Sequence, residues 1–322
     1  METQRVLLVE DNEDDLVLAS MAFERTGWPH ILIPMRDGEE VLQYLYDGVS
    51  DGAPAVVFLD LKLPRVDGKT ILRELRGNPR TTRVPVVVLS SSRLEQDVVD
   101  AYCLGANSYL CKQMDFAHFA AATTIATSYW LGLNVPPPGV SGPWSRLELL
   151  KMPSVLQAQQ LIPRRSDPTQ EIVVMDGDRH ERDLTLEGIA SSNVRNPTRQ
   201  IGTFEEIVQF LRPAGGPPPL LRPDFPRLFL LDDNLPDGDG RDVLQALRYR
   251  ADHHALLVMF THNRSPAFLS ECYRQKVSSI VFKPDDPNDY RDAVRLIAHY
   301  WIHMNEPPPD PSWSVRAMAH PG

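Results

Sequence analysis

The sequence predicts an α/β chain carrying two doubly wound parallel sheets of five strands each. Short valine- and leucine-rich runs alternate with stretches of helical period, the pattern of successive βα units. Several of those runs end on a carboxylate, a hydroxyl or a lysine, at the edge where open parallel sheets gather their ligands. The order of these endings in residues 1–134 returns in residues 169–306.

The first strand, Arg5 to Val9, runs into Glu10-Asp11-Asn12, and Asp14 to Arg25 follows with helical period through Leu16, Leu18, Ala19 and Phe23. A short strand at Ile31 to Ile33 precedes a helix through Val41, Leu42 and Leu45. Val56 to Leu59 is the central strand, closed by Asp60. Pro64 and Gly68 mark a turn before the helix from Lys69 to Arg76. Val84 to Leu89 ends in Ser90, a helix covers Leu94 to Leu104, and a brief strand at Ser108 to Leu110 reaches Cys111-Lys112. The last helix, Phe116 to Leu131, stops before Pro136-Pro137-Pro138. Right-handed crossovers bring all five strand ends to one edge.

Residues 135–168 read as a proline-rich linker, in which Leu147, Leu150, Val155 and Leu161 suit one amphipathic helix interrupted at Pro153. From Glu171 the pattern begins again. Ile172 to Met175 ends at Asp176, Phe229 to Leu231 at Asp232, Leu256 to Phe260 at Thr261, and Val281-Phe282 reaches Lys283. The spacing from Asp60 to Gly68 equals that from Asp232 to Gly240, and Ser90 to Lys112 equals Thr261 to Lys283, 22 residues each. Tyr129-Trp130 precedes Asn134 and a triple proline, as Tyr300-Trp301 precedes Asn305 and another. These correspondences indicate a tandem duplication. An insertion from Pro213 to Pro226 lengthens the approach to Asp232, and residues 307–322 read as a flexible tail.

With 322 residues and a 42% hydrophobic fraction, two domains with real cores are expected. Thirty-three basic against 43 acidic residues give a net charge of -10, which disfavours nucleic acid as a partner. No apolar run is long enough to span a bilayer, and the amino terminus enters a strand at once, unlike a signal peptide. Cys103, Cys111 and Cys272 form no metal-binding pattern. The expectation is a cytoplasmic protein with no membrane partner.

Glu10, Asp11 and Asp60 converging on one small area repel unless they share a cation, and hard oxygen ligands suit Mg²⁺. Lys112 and Ser90 facing the same volume complete an arrangement for phosphoryl transfer, with Asp60 as nucleophile. Each piece alone has a plainer reading. Asp11 or Asn12 could cap a helix, Lys112 could lie on the surface, Ser90 could be an ordinary strand-end hydroxyl, and Tyr109 could pack half-buried. The set, in this order and at these spacings, outweighs them.

Over about residues 4 to 130 the chain closely resembles the receiver domains of two-component response regulators. The resemblance rests on the acid pair Glu10-Asp11, the Asp60-x-x-x-Pro64-x-x-x-Gly68 turn, Ser90, and Tyr109 followed by Lys112. It implies two flavodoxin-like (βα)5 receiver domains. It also implies that Asp60 accepts the phosphoryl group, and that Asp11, Glu10, Asp60 and the Lys62 backbone carbonyl hold Mg²⁺. Ser90 and Tyr109 resemble the family's switch pair, whose hydroxyl moves toward the phosphoryl group while the ring turns inward. Gln113 departs from the proline usual after the lysine.

In the second half the equivalents are Asp176, Asp178, Asp232, Asn234, Thr261 and Lys283. Gly177 stands where the direct metal ligand belongs and Ile280 where the switch tyrosine belongs, which implies a degenerate receiver unless Asp176 and Asp178 hold a metal in a shifted geometry.

The terminal Tyr-Trp motifs are similar to those of the small response regulators that serve bacterial phytochrome kinases and dimerise through their last helix. That similarity points to contacts through Tyr129, Trp130, Tyr300 and Trp301, between copies or as an internal pseudo-dimer. The alternative is that each tryptophan covers the base of its own helix. The expected function is a response regulator without a DNA-binding output. It takes phosphate from a sensor histidine kinase, such as a phytochrome, and signals by protein contacts or drains phosphate. It catalyses nothing beyond its own phosphorylation and dephosphorylation. A scaffold whose second half binds partners without phosphorylation is the alternative. A Mg²⁺-dependent phosphatase is a third reading, which the receiver ordering disfavours.

Overall fold

The computed structural model describes residues 3–48, 53–112, 115–140, 147–163, 170–211, 226, 228–250 and 256–308. In the first half β1 (Gln4–Val9), β2 (His30–Met35), β3 (Val56–Leu59), β4 (Val86–Ser90) and β5 (Ser108–Cys111) alternate with five helices. These are α1 (Glu13–Arg25), α2 (Gly38–Gln43), α3 (Gly68–Gly77), α4 (Glu95–Cys103) and α5 (Phe116–Thr127). The strands are parallel in the order β2-β1-β3-β4-β5. β3 and β4 are buried along their whole length, which is why they read as unbroken apolar runs rather than alternating ones. Side-chain caps open the helices: Asn12 accepts from the Asp14 and Asp15 amides at α1, and Asp67 accepts from Thr70 at α3.

Two further helices follow, α6 (Leu147–Leu150) and α7 (Pro153–Leu161). The helical stretch is divided at Pro153, which stands in the first turn of α7, where its missing N–H loses no bond. α7 packs on α5 and buries Val155 and Ala158, so this stretch belongs to the core of the first half.

The second half repeats the architecture with β6 (Ile172–Met175), β7 (Thr198–Ile201), β8 (Leu228–Leu231), a two-residue pair β9 (Asn234–Leu235) and β10 (Gly238–Asp239), β11 (Leu256–Thr261) and β12 (Ser279–Phe282). Its helices are α8 (Arg179–Ser191), α9 (Phe204–Leu211), α10 (Gly240–Arg250), α11 (Pro266–Arg274) and α12 (Pro287–Ala298). The five-stranded sheet runs β7-β6-β8-β11-β12, the strand order of the first half again. The hairpin β9-β10, turning at Pro236-Asp237, has no counterpart among the described residues of the first half. Most of the Pro213–Pro226 insertion, Gln113 and residues 309–322 lie outside the described residues.

The halves meet along their last helices. α5 and α12 each widen into a π-helical turn, Ser128–Leu133 and His299–Met304, which carries the Tyr-Trp pair. Tyr129 and Tyr300 stack with centroids 4.4 Å apart, and both tryptophans are fully buried beside them. Two hydrogen-bonded chains cross between the halves. Trp130 Nε1 reaches the Tyr300 hydroxyl at 2.7 Å, Tyr300 reaches Ser108 Oγ at 2.7 Å, and Ser108 donates to Asn305 Oδ1 at 2.7 Å. Reciprocally, Trp301 Nε1 donates to Tyr129 (2.7 Å), Tyr129 to Ser279 (2.9 Å) and Ser279 to Asn134 Oδ1 (2.8 Å). The tryptophans therefore bridge the halves rather than cover their own helices.

Beyond the turns each arm pairs with the other half's edge strand. Asn134 and Val135 bond Ile280 on β12, while Asn305 and Glu306 bond Tyr109 on β5. Residues 134 and 135 are thus part of the packed interface.

Candidate functional site

Strand register builds the site. Val9 and Leu59 are partners across β1 and β3, so Glu10 and Asp60 leave neighbouring strands at one level. Ser90 and Cys111 are partners across β4 and β5, which delivers Lys112 to the same edge. Gly68 lets the chain return beneath Asp60: a Cβ there would strike the Asp60 carbonyl, and Gly240 stands in the same relation to Asp232.

Lys112 Nζ lies 2.6 Å from Glu10, 2.6 Å from Asp60 and 3.0 Å from Asp15. Glu10, Asp60 and the lysine are all buried or nearly so, whereas Asp11 is exposed at the mouth. Oxygens of Glu10, Asp11 and Asp60 all lie within 4.8 Å of one another. One ammonium does not balance this set. Burial pushes the Glu10 carboxyl up to about 7 despite Lys112, and the neighbouring Asp60 adds to the rise. Burial opposes the charge on Lys112, but Asp60 and Glu10 outweigh it and hold the ammonium above its ordinary range. Glu10, Asp11 and Asp60, with Asp11 open to solvent, form a donor set that fits a divalent cation.

The remaining residues surround this centre. The Lys62 amide donates to Asp60 Oδ1 at 3.0 Å. The Ser90 hydroxyl is buried and accepts from the Ser92 amide at 3.2 Å. The Tyr109 ring is fully buried, its hydroxyl donates to the Ser92 carbonyl at 2.9 Å, and burial pushes its pKa up to about 12.

The second half assembles a related cluster with different occupants. Lys283, 1% exposed, bridges Asp176 at 2.8 Å, Glu181 at 2.5 Å and Asp232 at 2.9 Å. Burial raises Asp232 to about 6 and raises Asp176 as well. Asp178 does not join: its carboxylate caps α8, accepting from the His180 and Glu181 amides. Glu181 takes its place in the cluster, so the shifted pair of Asp176 with Asp178 is not formed. The Asn234 carbonyl stands 2.7 Å from where a Cβ on Gly177 would lie, so the β9-β10 hairpin closes over the position of the first half's Asp11. Thr261 donates its hydroxyl to Asp233, which also accepts from Asn263 at 3.0 Å.

Sequence reasoning missed Asp15, Glu181 and Asp233. The first two were findable, since each stands five residues after the acid that ends its half's first strand. Asp233 gave no such signal, because its counterpart in the first half is Leu61.

A family model described as the response regulator receiver domain matches residues 6–124. Among curated proteins, the probable methanogenesis regulatory protein FilR2 of Methanothrix harundinacea is 39% identical over 134 residues, 41% of this chain and 86% of that protein. Response regulator Rcp1 of Synechocystis sp. is 36% identical over 129 residues, 39% of this chain and 88% of its own length. Among solved structures, the phosphorylated cyanobacterial phytochrome response regulator RcpA is 33% identical, with 40% of this chain and 94% of that one covered and a TM-score of 0.39. The Mn(2+)-bound form of Rcp1 is 34% identical, with 42% and 99% covered and a TM-score of 0.40.

Proposed function

This chain belongs to the response-regulator receiver family through its first half, and from that premise we propose that it takes a phosphoryl group onto Asp60 from a sensor histidine kinase. The observation that carries the reading is the buried Glu10-Asp60-Lys112 cluster with exposed Asp11 at its mouth. Phytochrome-associated relatives support a phytochrome as the kinase. In the transfer an Asp60 carboxylate oxygen attacks phosphorus, the P–N bond to the donor histidine breaks, and the electron pair returns to the imidazole. Lys112, already on Asp60, is placed to follow the phosphoryl oxygens. Mg²⁺ held by Glu10, Asp11, Asp60 and the Lys62 carbonyl would neutralise charge on the transferring group. Ser90 stands ready to donate to a phosphoryl oxygen once the group arrives.

The second half acts as a pseudo-receiver in this reading. Lys283 is locked among three carboxylates, Gly177 has no room for a ligand side chain, and Asp233 holds the Thr261 hydroxyl. Its role is contact: it occupies the β5 edge of the first half and shares the aromatic interface. The molecule signals through protein contacts or drains phosphate from the pathway, without a DNA-binding output and without catalysis on other substrates. The test is transfer from a phosphorylated histidine kinase. Label should move to the wild type and not to Asp60→Asn; label persisting on Asp60→Asn would sink the assignment.

A further inference from the structure

Between the halves lies a cavity of about 850 Å³. It opens near the amino ends of β5, β11 and β12, on the edge opposite the carboxylate clusters, so it belongs to neither. Its described lining carries Arg73, Arg76 and Arg83 from the first half and Arg274 and Lys276 from the second, against one carboxylate, Glu271. Glu271 is already held by Arg274 at 2.5 Å and by Gln275 at 2.6 Å. Among the described residues no carboxylate pairs with Arg73, Arg76 or Arg83.

Arg76 sets the character of the cavity. Its guanidinium commits its N–H groups to the Gly105, Val84 and Thr82 carbonyls and Asn107 Oδ1 at 2.7 to 3.3 Å, all neutral acceptors, so it lends the cavity its charge while Arg73 and Arg83 offer the donors. Burial draws its pKa down to about 10, a sign of a cation held without a counter-charge. Arg73 and Arg83 are exposed and add charge at the same opening. In a chain of net charge -10 a concave positive surface is a local exception, and low-dielectric walls concentrate its field on an entering anion. Tyr102 and Tyr273, one from each half, supply aromatic surface to the lining.

We propose that this interdomain cavity binds a small phosphate-bearing ligand of nucleotide size. Its volume falls in the range of small-molecule sites, about 300–1,000 Å³, and arginine is the side chain best suited to phosphate oxygens. A ligand there touches both halves, so binding also tightens their packing.

The test titrates the full chain with sodium tripolyphosphate and with ATP at low salt, with EDTA present to keep metal out of the carboxylate sites. Both probes should release heat and raise the melting temperature. Arg73→Ala combined with Arg83→Ala should weaken binding by at least about tenfold. Arg179→Ala, an exposed charge loss on α8, should leave binding unchanged. Absence of binding by both probes, or equal binding in the double variant, overturns the proposal; so does an equal loss in Arg179→Ala, which would make the effect one of overall charge.

Discussion

Lys112 and Lys283 hold equivalent places, yet their surroundings set different tasks. Lys112 faces a site with an exposed aspartate at its mouth, whereas Lys283 is sealed among Asp176, Glu181 and Asp232 beneath a hairpin. Removing Lys283 leaves two buried acids, Asp176 and Asp232, without their cation, so Lys283→Ala should destabilise the second half by about 3–5 kcal/mol, measurable by urea denaturation.

Glu10 makes the first site pH-sensitive. Its carboxyl titrates at about 7 in the folded chain against 4.5 for the free group, so the folded state holds the proton more tightly. Its contribution to stability is complete below pH 4.5 and is lost as pH rises through about 7. The metal-free melting temperature should therefore fall across that window. Asp232, raised to about 6, acts in the same direction, and Glu10→Gln should flatten the upper part of the fall. Divalent-cation affinity should rise over the same range, because the metal competes with that proton.

The strand-end acids, hydroxyls and lysines were legible in the sequence because each sits at an abrupt end of an apolar run. Asp15 and Glu181 were not noticed, because one turn into a helix an acid also reads as an ordinary response to the helix dipole.

At the scale of elements, the crossed arms are the feature that joins the halves. Asn305 Oδ1 accepts from the Tyr109 amide, the Ser108 hydroxyl and the Tyr102 hydroxyl, all buried. Asn305→Ala strips the Tyr109 amide and the Ser108 hydroxyl of their acceptor, while Tyr102 keeps the Glu306 carbonyl, and should cost about 2–4 kcal/mol, read as a lower midpoint in chemical denaturation. Tyr300→Phe removes two links of one chain, from Trp130 and to Ser108, and should lower the midpoint as well. An unchanged midpoint in Asn305→Ala would mean the arm contributes nothing to holding the halves together. The Tyr-Trp repeats were visible in the sequence as a pair of matching ends. The partnership of Asn134 and Asn305 with the opposite edge strands was not, since linear spacing carries no information about which edge an arm reaches. The β9-β10 hairpin went unseen for a related reason. The Asp232-to-Gly240 stretch reads as the counterpart of the first half's Asp60-to-Gly68 turn, and only the local backbone distinguishes them.

For the whole molecule, the internal pairing covers the edge strands and the Tyr-Trp faces of both halves. The full chain should behave as a 36.3 kDa monomer in light scattering, while a fragment of residues 1–140, with β5 and Trp130 uncovered, should self-associate. The same pairing makes the second half a fixed partner of the first. Intact mass after brief exposure to Mg²⁺ and a small phosphodonor reads how many phosphoacceptors the two lobes offer. A single phosphoryl group is expected, lost in Asp60→Ala and retained in Asp232→Ala. Two groups, each lost in its own variant, would contradict it and make the Asp176-Glu181-Asp232 cluster a second receiver site.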